Sequence, residues 1–283
     1  MMSREFYHLR VSAAGCRVAV WLNGFELFEL DCGRQPLEFA PPVNQYLIGK
    51  DNRIDISIQA ASLPNGSSST FDDAELGGNV ARYREGDIVW EEGGVRLLDF
   101  GIPEDTRRRW REKKIALPLT IERGFDSTGA SFRGLFLEGE VVTDQEPVVD
   151  YAMVLRDLAT SRNVEGLARE LAPKIDAYAL AYQRDRPDHD GFRGFLAREF
   201  MPLGPVTDFG RKDVEARSFC GGRVWELRRK PAKAADPTVA KKRPWLDTGK
   251  PFPLLITEMN DEEAYLSIPV YVARIGGALK VVR

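Results

Sequence analysis

Apolar and polar residues alternate along much of the first half of the chain, as they do in strands that cover one side of a core. Ile54, Ile56 and Ile58 alternate with polar residues, and the runs VAVWL and FELFEL flank the pair Asn23-Gly24. Asn and Gly both tolerate the positive φ of a type I′ turn, so the pair predicts a tight two-residue hairpin. Continued to residue 145, the pattern predicts about eight strands, enough to close an antiparallel β-sandwich.

Three further elements are predicted between residues 87 and 141. Gly93-Gly94 separates DIVWEE from VRLLDF and predicts a second hairpin of the same kind. The charged segment 103–114 begins Pro-Glu-Asp and predicts a short helix or an exposed loop. Leu135, Leu137 and Val141 follow a Gly-rich turn with strand spacing, after a strand expected over 115–121.

The spacing of apolar residues changes from two to about 3.6 near residue 150. Helical spacing continues to about residue 206, with Pro173 expected to begin a new helix and Asp188 or Asp190 expected to cap a third. Strand-like runs then return, joined by Gly221-Gly222 and by Gly276-Gly277. We therefore predict two domains, an antiparallel β-sandwich over 1–147 and an α+β domain with a curved antiparallel sheet over 148–283.

The first domain resembles a known module. A strand, Leu22-Asn23-Gly24, a second strand, a crossover ending in Tyr46-Leu47 and an alternating isoleucine strand follow one another in the order of the galactose-binding-like jelly roll, an accessory module of multidomain glycosidases. The likeness covers roughly residues 5 to 60, and the turn 49–52 is one residue longer than the Gly-x-Asn of that family. The resemblance implies a jelly-roll fold and a hint of carbohydrate binding.

The second domain resembles another family. Helices followed by four or five antiparallel strands are similar to the cystatin-like cone of nuclear-transport-factor-like and polyketide-cyclase-like proteins, and the closing hairpin around Gly276-Gly277 is similar to theirs. Where that family often has an aromatic residue after the glycine turn, this chain has Leu279. The resemblance implies a curved sheet that wraps helices.

Composition narrows the class of protein. With 43% hydrophobic and 29% charged residues the chain has the composition of a soluble globular protein. It lacks an apolar run long enough to span a bilayer, and its first residues lack the apolar core of a secretory signal, so we expect a cytoplasmic, bacterial-type protein without membrane contact. Cys16, Cys32 and Cys220 are widely spaced, which argues against a disulfide framework or a structural metal.

Few residues carry recognisable catalytic chemistry. The triplet Asp188-His189-Asp190 has metal-ligand side chains, but helix capping explains it better, and we expect no metal. The sequence contains no Gly-rich phosphate loop of the kind that binds a nucleotide cofactor. With only two histidines, it has few candidates for a nucleophilic triad. Acidic pairs could serve glycoside hydrolysis, although the sequence does not single out a pair.

Basic clusters raise the question of nucleic acid binding. Residues 107–109, 228–230 and 241–243 are basic, and Trp110 and Trp245 lie beside two of these groups. A nucleic-acid surface normally leaves the whole chain basic, whereas the net charge here is −3. A nucleic acid partner is therefore disfavoured.

Aromatic residues are the main candidates for a binding site. The set consists of Tyr178, Tyr182, Phe192, Phe195, Trp225, Tyr265 and Tyr271. They would line a pocket if helices pack in the mouth of a cone-shaped sheet, or they would fill the core. Alternation in AYLSIPVYVARI places Tyr265 and Tyr271 on the outer face of the sheet and predicts an interruption at Pro269.

The sequence thus favours a binding or protein-interaction protein without visible catalytic machinery. The candidate ligand- or partner-binding residues are Tyr178, Tyr182, Trp225, Tyr265 and Tyr271, with a protein partner, self-association through the C-terminal sheet or a carbohydrate as the occupant. The alternative is an enzyme, either a carbohydrate-active hydrolase or a small-molecule pocket enzyme of the cone-like family. Converging polar groups in an apolar pocket would favour the enzyme.

Overall fold

The computed structural model describes residues 4–33, 35–61, 74–89, 93–112, 118–234 and 236–283. Its internal contacts divide the chain into two compact units, one formed by 1–133 with Ala181–Gln183 and the other by Gly134–Leu180 with Arg184–Arg283. The predicted domain boundary after residue 147 stays a prediction, which limited proteolysis can test. No helix within the described ranges is long and apolar enough to cross a membrane.

The first unit is a β-sandwich of two four-stranded antiparallel sheets, with the order β4-β1-β6-β7 in one and β3-β2-β5-β8 in the other. The strands in its described part are β1 (Glu5–Ala14), β2 (Cys16–Leu22), β3 (Phe25–Cys32), β4 (Leu37–Phe39), β5 (Asn52–Ala60), β6 (Glu75–Arg84), β7 (Val95–Gly101) and β8 (Leu119–Phe125). Helix α1 (Glu104–Arg111) lies between β7 and β8, and a 3-10 turn spans Asn44–Tyr46.

Alternation along the strands builds the core of this unit. Leu9 and Val11 of β1 face Val18 and Val20 of β2, and the isoleucines of β5 complete the same cluster. These three strands therefore give one side to the core and leave the other side more exposed, as the sequence predicts.

The hairpin at Asn23-Gly24 is confirmed. The two residues join β2 to β3 with φ of 54° and 84°, the positive values that a type I′ turn needs.

The hairpin predicted at Gly93-Gly94 is wrong in part, because residues 87–89 form no strand and β7 pairs with β6. Residues 90–92, which complete that predicted strand, lie outside the described residues. The same is true of residues 115–117, the first part of the strand expected over 115–121.

The second unit combines helices with antiparallel sheets. The helices of the described residues from 133 onward are α2 (Arg133–Phe136), α3 (Glu146–Thr160), α4 (Val164–Ala181), α5 (His189–Phe195) with a π-helical turn over Leu196–Phe200, and α6 (Pro237–Lys242). The strands are β9 (Val214–Phe219), β10 (Val224–Arg229), β11 (Phe252–Pro253), β12 (Leu255–Ile256), β13 (Ser267–Ile268), β14 (Val270–Ile275) and β15 (Ala278–Val281).

β10 is the central strand of the main sheet of this unit. It pairs with β9 along one edge and with β14 and β11 along the other, and β14 continues to β15. The inward face of the sheet packs on α3 and α4, so that Leu227, Val270 and Val272 share one core with Leu155 and Leu171. A separate two-stranded sheet is formed by β12 and β13.

Both glycine-pair hairpins of the second unit are confirmed. Gly221-Gly222 lies between β9 and β10, and Gly276-Gly277 joins β14 to β15, all with positive φ. The interruption at Pro269 is also confirmed, because β13 ends at Ile268 and β14 begins at Val270.

Two predictions for this part of the chain are wrong. Leu135 lies in α2, while Leu137 and Val141 are exposed and in no strand. Pro173 begins no helix but lies inside α4. A proline there leaves the carbonyl of Arg169 without its intrahelical partner, and that exposed residue can be hydrated instead.

Candidate functional site

A groove between α4 and α5, here called the α4–α5 groove, combines apolar and ionisable side chains. Its volume is about 380 Å³. It is lined by Lys174, Ile175, Tyr178, Ala179, Arg184, Asp188, Gly191, Phe192 and Phe195. Pockets for small molecules typically measure roughly 300–1,000 Å³, so this groove suits a compact ligand.

Helix α4 supplies one wall through its own periodicity. Leu167, Leu171, Lys174 and Tyr178 follow the i, i+4, i+7, i+11 spacing of a single helical stripe. The two leucines of this stripe are fully buried in the core. Lys174 and Tyr178 occupy the next two positions and reach the groove, so an amine and a phenol stand one turn apart on the same side.

Helix α5 supplies the other wall, and its start is fixed by a cap. The carboxylate of Asp188 accepts a hydrogen bond from the amide of Gly191 at 2.9 Å, which confirms the predicted capping role. The rings of Phe192 and Phe195 then stack with their centroids 5.9 Å apart and an interplanar angle of 25°. They give the groove an aromatic wall.

The ammonium group of Lys174 lies in an unusual environment for a lysine. Its Nζ donates a hydrogen bond of 2.6 Å to the backbone carbonyl of Pro269. Burial, with a smaller contribution from the positive charge of Arg283, lowers its pKa from 10.5 to about 7. At neutral pH this amine is present both as a cation and as a free base.

Arg283 is the charge that acts on Lys174 and Tyr178, the two titratable groove residues of α4 that have shifted pKa values. It is only 2% exposed, its guanidinium lies 5.5 Å from the ring of Phe136, and its Nη1 donates to the carbonyl of Val282 at 2.9 Å. Burial raises the pKa of Tyr178, and Arg283 opposes that rise. Tyr178 is therefore a protonated phenol at neutral pH, able to donate a hydrogen bond.

Only one of the five residues predicted for binding lies at this groove, namely Tyr178. Tyr182 belongs to the first unit, where its hydroxyl donates to Oε1 of Gln45 at 2.6 Å. Tyr265 is 46% exposed, with its ring 4.9 Å from that of Trp245. Of the four candidates in the second unit, Tyr178 is the one that lines the α4–α5 groove.

The remaining two predicted residues lie on opposite faces of the main sheet. Trp225 pairs with Val272 and is buried in the core. Tyr271 pairs with Glu226 on the outer face, where its hydroxyl donates to Oε1 of that glutamate at 2.9 Å. The alternation of β14 is as the sequence predicts, and Trp225 faces the core rather than the outer face that carries Tyr271.

Some residues of the other charged clusters have structural partners. His189 Nε2 lies 2.9 Å from a carboxylate oxygen of Asp176. Among the described residues, no group of three or more His, Cys, Asp or Glu side chains is arranged to hold a metal ion. Arg243 pairs with Asp208 at 2.6 Å and with Glu258 at 2.7 Å, so part of the predicted basic surface is neutralised.

Buried Arg229 is a structural side chain. Its guanidinium carbon lies 4.0 Å from the ring centre of Phe209, and its Nε donates to the carbonyl of Leu254 at 3.1 Å. Burial is the main cause that lowers its pKa to about 9. The cation is held by an aromatic face and backbone carbonyls, which leaves it no role at a surface.

A second groove, of about 400 Å³, is lined largely by charged side chains between α3 and β9. Arg211 crosses it and pairs with Glu146 and Asp150. Because these ion pairs satisfy one another and apolar surface is scarce, this groove offers a ligand less than the α4–α5 groove does.

Lys174 is the residue that the sequence reasoning missed. The signal was present, because a lysine in the stripe of Leu167, Leu171 and Tyr178 breaks an otherwise apolar pattern. A lysine at such a position can also extend its stem along the surface and reach water, so the pattern alone does not reveal a low pKa.

No known protein family, curated protein or solved structure matches the chain.

Proposed function

We propose that this protein binds a small molecule in the α4–α5 groove, and that the ligand has a flat apolar body and an oxygen-bearing end. The observation that carries the proposal is the meeting of the Phe192–Phe195 pair with the Lys174 amine in one groove of about 380 Å³. Apolar pockets with a few convergent polar groups are the usual form of small-ligand sites.

The apolar wall would supply most of the affinity. Stacked phenylalanine rings favour a flat or aromatic ligand body through dispersion and removal of apolar surface from water. Ile175 of α4 faces the same space. A ligand with a compact ring fits this wall better than an extended sugar chain does.

The polar end would be fixed by hydrogen-bond donors. Lys174, Tyr178 and Arg184 all line the groove, and each can donate to a carboxylate or carbonyl oxygen. The carboxylate of Asp188 accepts the capping hydrogen bond of α5, and the three donor residues at the groove outnumber this one carboxylate. We therefore favour an oxygen acceptor over a cationic group at this end of the ligand.

Calorimetry and protein-detected NMR with benzoate and with benzylamine test the proposal. Benzoate should bind and shift the amide signals of α4 and α5, whereas benzylamine should bind at least about tenfold more weakly, a difference of about 1.4 kcal/mol. Lys174→Met should remove the preference for benzoate. Lys212→Met, at an exposed lysine outside the groove, should keep it.

Two results would contradict the proposal. One is the absence of any signal shift in α4 and α5 with either probe at millimolar concentration. The other is equal binding by wild-type protein and Phe192→Ala, because loss of one ring of the stack should weaken the apolar wall. Phe39→Ala, at an exposed phenylalanine of the first unit, is the matched control.

We further propose that the first unit is a galactose-binding-like jelly roll and the second a cystatin-like cone. The two four-stranded antiparallel sheets support the first assignment, and the helices that precede and cover a main antiparallel sheet support the second. An experimental structure in which the sheets of one unit have a different strand order would contradict the assignment for that unit.

A further inference from the structure

We infer that Lys174 is a carbonyl-reactive amine, which condenses with an aromatic aldehyde or ketone in the α4–α5 groove to form an imine. The inference deepens the proposed function, on which it rests for the occupancy of the groove. It replaces a reversible contact at the polar end of the ligand by a reversible covalent bond.

The position of the amine supports this chemistry. Lys174 Nζ is held by its 2.6 Å hydrogen bond to the carbonyl of Pro269, so the side chain is anchored at one edge of the groove. Phe192, Phe195 and Ile175 line the same groove. A ring packed on these side chains would carry a carbonyl substituent toward a nitrogen that is already oriented.

The protonation state of the amine supports it as well. Only the free base has the lone pair that attacks a carbonyl carbon, and burial lowers the pKa of Lys174 from 10.5 to about 7. Arg283 acts in the same direction from beside the groove, while Asp188 is engaged in capping α5 and Tyr178 is a neutral phenol. The free base, which is the nucleophilic form of the amine, is therefore much more abundant at neutral pH than in an ordinary lysine.

The reaction balances without a redox partner. The nitrogen lone pair forms a bond to the carbonyl carbon, and the π electrons move to oxygen, which takes one proton originally on the amine. The resulting hydroxyl leaves with the second amine proton as water, while the nitrogen lone pair completes the C=N bond. The phenol of Tyr178, one helical turn away, is positioned to assist departure of the hydroxyl.

Two other lysines within the described part of the chain, Lys230 and Lys212, lack this combination. Lys230 is exposed, its Nζ donates to the carbonyl of Lys212 at 2.7 Å, and the groove that it lines is dominated by ion pairs. Lys212 is exposed as well. These two residues serve as internal references within the same protein, since they meet the same reagent at the same concentration.

Reductive trapping tests the inference on the whole chain. Protein, benzaldehyde and sodium cyanoborohydride are incubated at pH 7, and the benzyl adducts are located by peptide mass spectrometry. Lys174 should be labelled at least about tenfold faster than Lys230, and the rate at Lys174 should rise through a pKa near 7. Lys174→Arg should abolish this site and leave labelling of Lys230 unchanged.

Several results would overturn the inference. Equal labelling of Lys174, Lys212 and Lys230 would show ordinary surface amines, and so would a labelling rate at Lys174 that rises only above pH 9. Benzoate binding without any Lys174 adduct would disprove the imine and leave the groove as a ligand site. Absence of both would disprove the proposed function together with the imine.

One variant tests whether trapping at Lys174 depends on the aromatic wall of the groove or only on the reactivity of the amine itself. Phe195→Ala removes part of the aromatic wall without touching the amine and should slow trapping at Lys174 several-fold, with Lys230 unaffected. Circular dichroism is used to check that the variant is folded. If trapping at Lys174 is unchanged in a folded Phe195→Ala protein, the ligand body does not use the groove and the inference is wrong.

Discussion

Asn23 donates a hydrogen bond from Nδ2 to Oδ1 of Asn52 at 2.9 Å, which links the β2–β3 turn to the start of β5. Oδ1 of Asn52 also accepts from the amide of Ile48 at 2.8 Å, and its Nδ2 donates to the carbonyl of Gly49 at 2.6 Å. Asn52 is 0% exposed. A buried amide with its oxygen and nitrogen satisfied fixes the crossover between the two sheets of the sandwich.

Replacement of Asn52 by Ala should lower the free energy of unfolding by about 3 kcal/mol, because several buried backbone groups would lose their partner. Urea denaturation measures the change. Gln59→Ala, at an exposed position of the same strand, is the control and should change stability by less than about 0.5 kcal/mol. Similar effects for the two variants would mean that the buried network contributes little.

Asn23 contributes both a backbone conformation and side-chain bonds, and two variants separate these roles. Asn23→Val should destabilise the protein by about 3 kcal/mol, because a β-branched residue resists a φ of 54° and makes no such bonds. Asn23→Gly keeps the positive φ and should cost only about 1–2 kcal/mol through the lost hydrogen bonds. Denaturation midpoints in the reverse order would contradict the turn.

Adjacent glycines in β6 should respond very differently to alanine. A Cβ on Gly78 would lie 2.3 Å from the carbonyl oxygen of Arg10 and 2.4 Å from the ring of Phe100, whereas one on Gly77 meets nothing within 4 Å. Gly78→Ala should therefore cost about 2 kcal/mol or more, and Gly77→Ala should be neutral or slightly stabilising. Thermal unfolding of the two variants distinguishes them, and equal melting temperatures would show that the backbone at Arg10 and the ring of Phe100 both move away at little cost.

Lys174 should make stability depend on pH in a defined direction. Its pKa of about 7 in the folded protein is below the ordinary 10.5, so between these values the unfolded state binds more protons and stability rises with pH. Lys174→Met removes this dependence and should stabilise the protein more at pH 6 than at pH 10. The carbonyl of Pro269, on an exposed residue, can bind water in place of the amine.

Urea denaturation of wild type and Lys174→Met at both pH values measures the difference. Lys212→Met is the control, because that lysine is exposed. Arg283, Tyr178, Arg184 and Asp188 are the charged or titratable groups near Lys174, and all are present in both proteins. A stabilisation that is the same at pH 6 and pH 10 would show that Lys174 keeps an ordinary pKa.

The sequence by itself determined those elements whose signals are local. Asn23-Gly24, Gly221-Gly222 and Gly276-Gly277 form turns because their residues accept positive φ wherever they stand. The isoleucines of β5 point to one side because the period of a strand is two. The interruption at Pro269 follows from a missing amide proton, which no tertiary context restores.

Only the tertiary structure decided what surrounds each side chain. Pro173 remains inside α4 because the apolar stripe that contains Leu171 packs in the core, and this burial offsets the cost of a missing hydrogen bond. The sequence marks both Tyr178 and Tyr271 as candidate binding residues, yet one lines a groove and the other bonds to Glu226. The pKa of Lys174 depends on burial and on Arg283, more than a hundred residues away in the chain, and a local pattern cannot encode that proximity.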